Sequence, residues 1–154
     1  MDGASLIALP PYPYDTPPNA TAELATSLGF RCPTVEEARL RTSLNMTTYR
    51  YMYAGNFSNI SPYYWMGGYH SSELPMLFGT YGDYRGVGTP FQAATSQTMQ
   101  DYYLAFVNDP VNGPSRMGWP KYATGVVEVF GANGSTHQYV PKAEIEDICN
   151  GYVA

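Results

Sequence analysis

GGYHSSELPMLFG, residues 67–79, sets one histidine between a glycine pair and a short apolar run. Glycine adopts backbone angles closed to other residues, so Gly67 and Gly68 let the chain turn sharply just before His70. Ser71 or Ser72 can then cap a short helix whose first turn tolerates Pro75. The spacing therefore predicts His70 on a loop at a helix entrance. Imidazole exchanges protons near neutral pH, and a loop on a rigid scaffold is where such a group is usually presented. Two readings are open from these residues alone: a proton carrier, or a structural histidine hydrogen-bonded among tyrosines.

Outward from this stretch, the upstream side reads as helix and then strand. Residues 10–18, PPYPYDTPP, are proline-rich and predict an extended connector, so residues 1–18 are expected to be extended or poorly ordered. Leu24 and Leu28 sit one turn apart on a short helix that Gly29 would close. FRCP predicts a corner, and Thr34 with Glu37 forms a capping box for a helix to about Leu44. TTYRYMYA, residues 47–54, alternates tyrosines with Thr48, Arg50 and Met52 and reads as a strand. Helix followed by strand is the rhythm of an α/β sheet. The loop GNFSNISPYYW then leads to the histidine stretch.

On the downstream side Thr89, Pro90 and Gln92 predict a capped helix to about Val107. Phe91, Ala94, Thr95, Thr98, Met99, Tyr102, Ala105 and Phe106 form its apolar stripe. NDPVNGPSRMGWPKY breaks that helix, with Trp119 as the anchor of the loop. VVEVF (126–130) and THQYV (136–140) flank GANGS, whose Asn-Gly pair signals a hairpin. Finally Ile145, Ile148 and Cys149 fall at helical spacing before Asn150 and Gly151 stop the element.

At 154 residues the chain is about one domain long, and 14% charged residues with a net charge of -5 leave no basic face for phosphate or anionic lipid. Nucleic acid is thereby an unsuitable partner. Cys32 and Cys149 permit a single disulfide; two buried thiols are the alternative. Acceptor triplets at Asn19, Asn45, Asn56, Asn59 and Asn133 point to N-glycosylation in a secretory route, which favours the disulfide. The start, MDGASLIALPPYP, lacks a basic n-region and a sufficient apolar core for a signal peptide, so an upstream address is expected. No stretch reaches the ~20 apolar residues of a membrane span.

The chemistry narrows by elimination. Two histidines and two cysteines offer no zinc-type spacing, and no metal or other cofactor is expected. Gly86-Val87-Gly88 lacks the third glycine and the preceding strand of a dinucleotide motif. Glu36 with Glu37, and Glu144 with Glu146, read as solvated helix faces. The nucleophile turn G-x-S-x-G is absent, and Ser71 and Ser72 lie too close to His70 in sequence to form that geometry readily. The residues offer a base without a nucleophile.

YRYMYAGNFSN, WMGGYHSSELPMLFGT, MQDYYLAFVNDP and GWPKY, in this order and spacing, resemble the C-terminal part of the type-B carboxylesterase/lipase family, which includes cholinesterases and many fungal secreted esterases. The resemblance runs from about Tyr12 to Ile148. It implies the late portion of an α/β-hydrolase: a late sheet strand, the catalytic-histidine loop, a long packing helix, then small strands and a short helix, so that residues 1–154 form one partial domain. It also implies that His70 is the triad base, that Glu73 gives a supporting hydrogen bond, and that Tyr69 and Ser71 line the site. A small-molecule ester or a lipid would be the substrate of the full-length, secreted enzyme. The serine elbow, the triad acid and the glycine-rich oxyanion loop are missing from these residues, so the chain alone is expected to be inactive. A non-catalytic secreted binding module, and a subunit complementing a separate N-terminal chain that bears the serine, are the alternatives.

Overall fold

The computed structural model describes residues 17–61 and 63–152. The expectation for residues 1–16 lies outside them, while Pro17 and Pro18 are the first turn of a helix and not part of an extended connector. That helix, α1 (Pro17–Thr26), passes through a wider π turn (Ser27–Arg31) into α2 (Cys32–Ser43). Neither the stop at Gly29 nor the corner at FRCP forms. The reason lies in Pro33, which has no N–H and whose ring would clash with the carbonyl four residues back. Widening the preceding turn relieves this, and Cys32 N–H donates to Ser27 O, five residues back. Thr34 is thus inside the helix and caps nothing; its hydroxyl donates to Phe30 O at 2.7 Å.

The other end of α2 falls where the sequence places it. Asn45 takes a left-handed φ of 58°, its N–H donates to Thr42 O at 3.0 Å, and Met46 N–H donates to Arg41 O at 2.9 Å. This is a Schellman closure, with asparagine in the place glycine usually holds.

Three strands follow: β1 (Tyr51–Tyr53), β2 (Val126–Phe130) and β3 (His137–Pro141), in the order β1-β2-β3. β1 runs parallel to β2 with Tyr51 beside Glu128 and Tyr53 beside Phe130. β2 and β3 are antiparallel. Their connection puts Asn133 and Gly134 both at positive φ, 54° and 73°, with Ser135 N–H donating to Ala132 O, the turn an Asn-Gly pair favours. Between β1 and β2 lie α3 (Leu74–Leu77), α4 (Pro90–Asn108) and α5 (Gly113–Met117); α6 (Lys142–Glu146) follows β3.

Helices cover both faces of this small sheet. On one side Phe130 packs with Met99 and Tyr102 of α4, Met76 of α3 and Trp119, flanked by Tyr51 and Tyr53. Trp119 is the hub, its ring centroid 5.7–6.1 Å from those of Tyr49, Tyr51, Tyr102, Tyr103 and Phe130, and its Nε1 donates to Arg50 O. On the other side Val127 packs with Ala38 of α2, Tyr122 and Ile145.

The buried stripe of α4 is rotated from the apolar one: Gln92, Thr95, Ser96, Met99 and Tyr102 face inward and Phe106 is exposed. Hydrogen bonds explain the shift, since Ser96 Oγ donates to Met76 O and Gln92 Nε2 to Met76 Sδ. Thr89 does cap this helix by accepting from Gln92 N–H at 3.0 Å. Its partner in the expected box, the Gln92 side chain, is turned into the core instead.

Cys32 and Cys149 are disulfide-bonded and pack with Val35. Nearby, Glu146 is buried rather than solvated, because it pairs with Arg50, accepts from Tyr122 Oη at 2.8 Å and lies 3.7 Å from Arg39. Two guanidinium groups and a phenol hydroxyl offset the cost of burying its carboxylate.

Candidate active site

The histidine stretch is tied to the end of β1. Gly67 takes a φ of 54°, and a Cβ on Gly68 would sit 2.9 Å from Tyr53 O, so a side chain there would collide with the strand backbone. Ser61 Oγ donates to Gly67 O at 2.8 Å and holds the turn from the opposite side. After this close approach the chain turns outward, His70 is exposed, and α3 begins four residues later.

Neither serine caps α3. Ser72 is buried and its hydroxyl donates back to Tyr69 O at 2.6 Å, while the helix starts from Glu73 without a side-chain cap. Ser71 has a φ of 69°, in the left-handed region that a residue with a Cβ enters at a cost of order 1 kcal/mol. Strain of this kind collects where a backbone is held to present a neighbour.

Tyr69 is half-buried against the aromatic core and its hydroxyl donates to Ile60 O at 3.2 Å. Glu73 makes no side-chain hydrogen bond among the described residues. Its charge is felt instead at Tyr51, Tyr53 and Tyr103, whose hydroxyls burial already pushes well above their ordinary titration. The ring of His70 lies against Phe30, with centroids 5.9 Å apart and planes 26° from parallel. Among the described residues no serine hydroxyl or carboxylate is hydrogen-bonded to His70.

β1 and β2 end together beside this loop: Ala54 N–H donates to Phe130 O, and a Cβ on Gly131 would lie 3.0 Å from Gly55 Cα. In α/β sheets, ligands collect outside the carboxyl ends of parallel strands. A cleft of about 470 Å³ opens at this end, lined by Ala54, Phe57, Thr89, Phe91, Gln92 and Gly131 among others, though His70 is not part of its wall. The position of His70 is thus set by the loop and not by the cleft.

Two features of this region were not legible in the sequence. Phe30 gave no signal, since its approach to His70 depends on the π turn. Glu128 was hidden in the apolar-looking VVEVF. It is fully buried, neither carboxyl oxygen is hydrogen-bonded, and burial pushes its titration up to about 8. Its Oε1 lies 3.2 Å from His137 Nδ1, which is also 3.3 Å from Tyr102 Oη.

The acceptor asparagines differ in setting. Asn45, Asn56 and Asn133 are exposed, whereas the side chain of Asn19 lies outside the described residues. Asn59 is buried and its Nδ2 donates to Tyr81 O at 2.9 Å, an arrangement that leaves no room for a glycan in the folded chain. No group of three or more His, Cys, Asp or Glu residues is placed to hold a metal ion among the described residues, and no described helix is long and apolar enough to cross a membrane.

Residues 13–144 match the model of the carboxylesterase family, and the chain belongs to that family. It is 42% identical over 135 residues to a chlorogenic acid esterase of Aspergillus niger, an alignment covering 77% of this chain and 26% of that protein. It is also 50% identical over 94 residues to secreted lipase 5 of Gibberella zeae, covering 61% of this chain and 17% of the relative. The chain therefore spans about a quarter or less of these relatives.

Proposed function

We propose that these residues are the C-terminal portion of a secreted serine carboxylic-ester hydrolase, with His70 as its general base. The observation that carries the reading is the placement of His70. Within a stretch that matches the carboxylesterase family, a glycine turn braced on Tyr53 presents an exposed imidazole at the carboxyl end of a parallel strand pair. In that role His70 takes the proton of a serine hydroxyl as its oxygen attacks the ester carbonyl, and returns it to the departing alcohol. The substrate is a small-molecule ester or a lipid.

The serine, the acid that orients the imidazole and the donors that stabilise the oxyanion come from a portion outside this chain. β1 supports this, because β2 is its one strand partner among the described residues and its other edge is free to receive a parallel neighbour. That portion is either covalently upstream or a separate complementing chain. Without it the base has no hydroxyl to activate, and most of the rate enhancement is lost.

In the full-length protein, His70→Ala should lower kcat on a short-chain aryl ester by at least ~10³-fold, as loss of a triad member does. Retention of most activity would refute the assignment. The 154-residue chain by itself should give no fluorophosphonate adduct; covalent labelling at Ser71 or Ser72 would overturn its inactivity. A coding frame upstream of Met1 that holds G-x-S-x-G and a later acid would favour the covalent arrangement, and purification of an active complex of two chains would favour the other.

A further inference from the structure

We propose that Phe30 is a positioning residue for His70: its ring forms a platform that holds the imidazole plane in the orientation needed for proton transfer. The proposal rests on the reading of His70 as base. Phe30 is 65% exposed and belongs to none of the buried clusters of the described residues, so packing among those residues does not account for a phenyl ring at this place. What it does touch is His70, in a near-parallel stack. Stacked ring pairs carry an energy beyond their buried area and a defined mutual geometry.

The backbone beneath Phe30 is unusually well held for an exposed residue. The π turn sets the direction of its side chain, since one residue more or fewer in a helical turn swings a side chain by about 100° around the axis. Arg31 pairs with Glu23 at 2.7 Å, Thr34 Oγ1 donates to Phe30 O, and Tyr152 Oη donates to Leu28 O. Cys32, two residues on, is fixed to Cys149. On the other partner, the glycine turn and the left-handed Ser71 fix the backbone that carries His70. Two independently braced segments thus meet at this ring contact.

The test uses the full-length protein with Phe30→Leu, Phe30→Met, Phe30→Tyr and Phe30→Trp, beside His70→Ala and the exposed control Phe78→Leu. Leucine and methionine should lower kcat roughly tenfold with KM within about twofold, the pattern of a misaligned catalytic group. Tyrosine and tryptophan should restore kcat to within about threefold, because they keep the π face. In selectively labelled protein the His70 ring protons should lose their ring-current displacement in the leucine and methionine variants and keep it in the aromatic ones. Wild-type kcat and unmoved His70 resonances in Phe30→Leu would overturn the proposal, as would a rise in KM alone or equal losses in all four variants. Should Phe30→Leu fail to fold, the comparison of methionine with tyrosine carries the same decision. Activity surviving His70→Ala would sink the assignment of the base instead, which separates the two failures.

Discussion

Glu128 departs far from the ordinary behaviour of a carboxylic acid. Fully buried without a hydrogen bond, it titrates at about 8 in the fold against an ordinary 4.5. An acid with a raised folded-state value binds its proton more tightly when folded, so stability is greatest at low pH and falls as pH rises from about 4.5 to about 8. The loss should amount to a few kcal/mol across that window. Denaturant unfolding of the full-length protein at several pH values checks this, and Glu128→Gln should flatten the slope. A slope that survives the substitution would belong to another group. None of this was legible in VVEVF, because an isolated charge in an apolar run has no neighbours until β1 and β3 are in register beside it. Glu146 was misread for the same reason: its donors Arg50, Tyr122 and Arg39 come from distant parts of the chain. The position of His70 on a loop before a helix was legible, because paired glycines dictate a turn locally.

Short-range chemistry was read correctly at the hairpin and at the start of α4, but not at Thr34 or at Ser71 and Ser72, where the expected caps do not form. The Asn-Gly hairpin and the Thr89 cap depend on adjacent residues alone. Replacing Thr89 with alanine leaves the Gln92 N–H without its acceptor and should cost about 1 kcal/mol, seen as a lower denaturation midpoint at unchanged m-value. Thr89→Ser should recover most of the loss. By contrast, the stripe of α4 followed hydropathy in the sequence and hydrogen bonding in the structure, where Ser96 and Gln92 take inward positions to reach Met76. The continuous helix from Pro17 to Ser43 escaped notice because proline and glycine usually end helices, and a π turn that accommodates Pro33 leaves no simple sequence mark.

For the molecule as a whole, the α/β rhythm and the family were legible from the order of motifs, while the layering depended on which faces of three short strands became buried. The disulfide closes the architecture by joining positions 117 residues apart. Replacing both cysteines with serine should remove ~2–5 kcal/mol of stability, measurable as a fall in melting temperature. An unchanged melting temperature would show that the cross-link constrains the unfolded chain little. The same span sets a schedule on biosynthesis. At ~5–20 residues per second, Cys32 emerges roughly 6–23 s before its partner is made. Throughout that interval it is an unpaired thiol on a nascent chain, open to alkylation, to oxidases and to any other cysteine within reach. Pairing must therefore wait for Cys149, so the redox state of Cys32 serves as a clock for synthesis of the 117 residues that follow it.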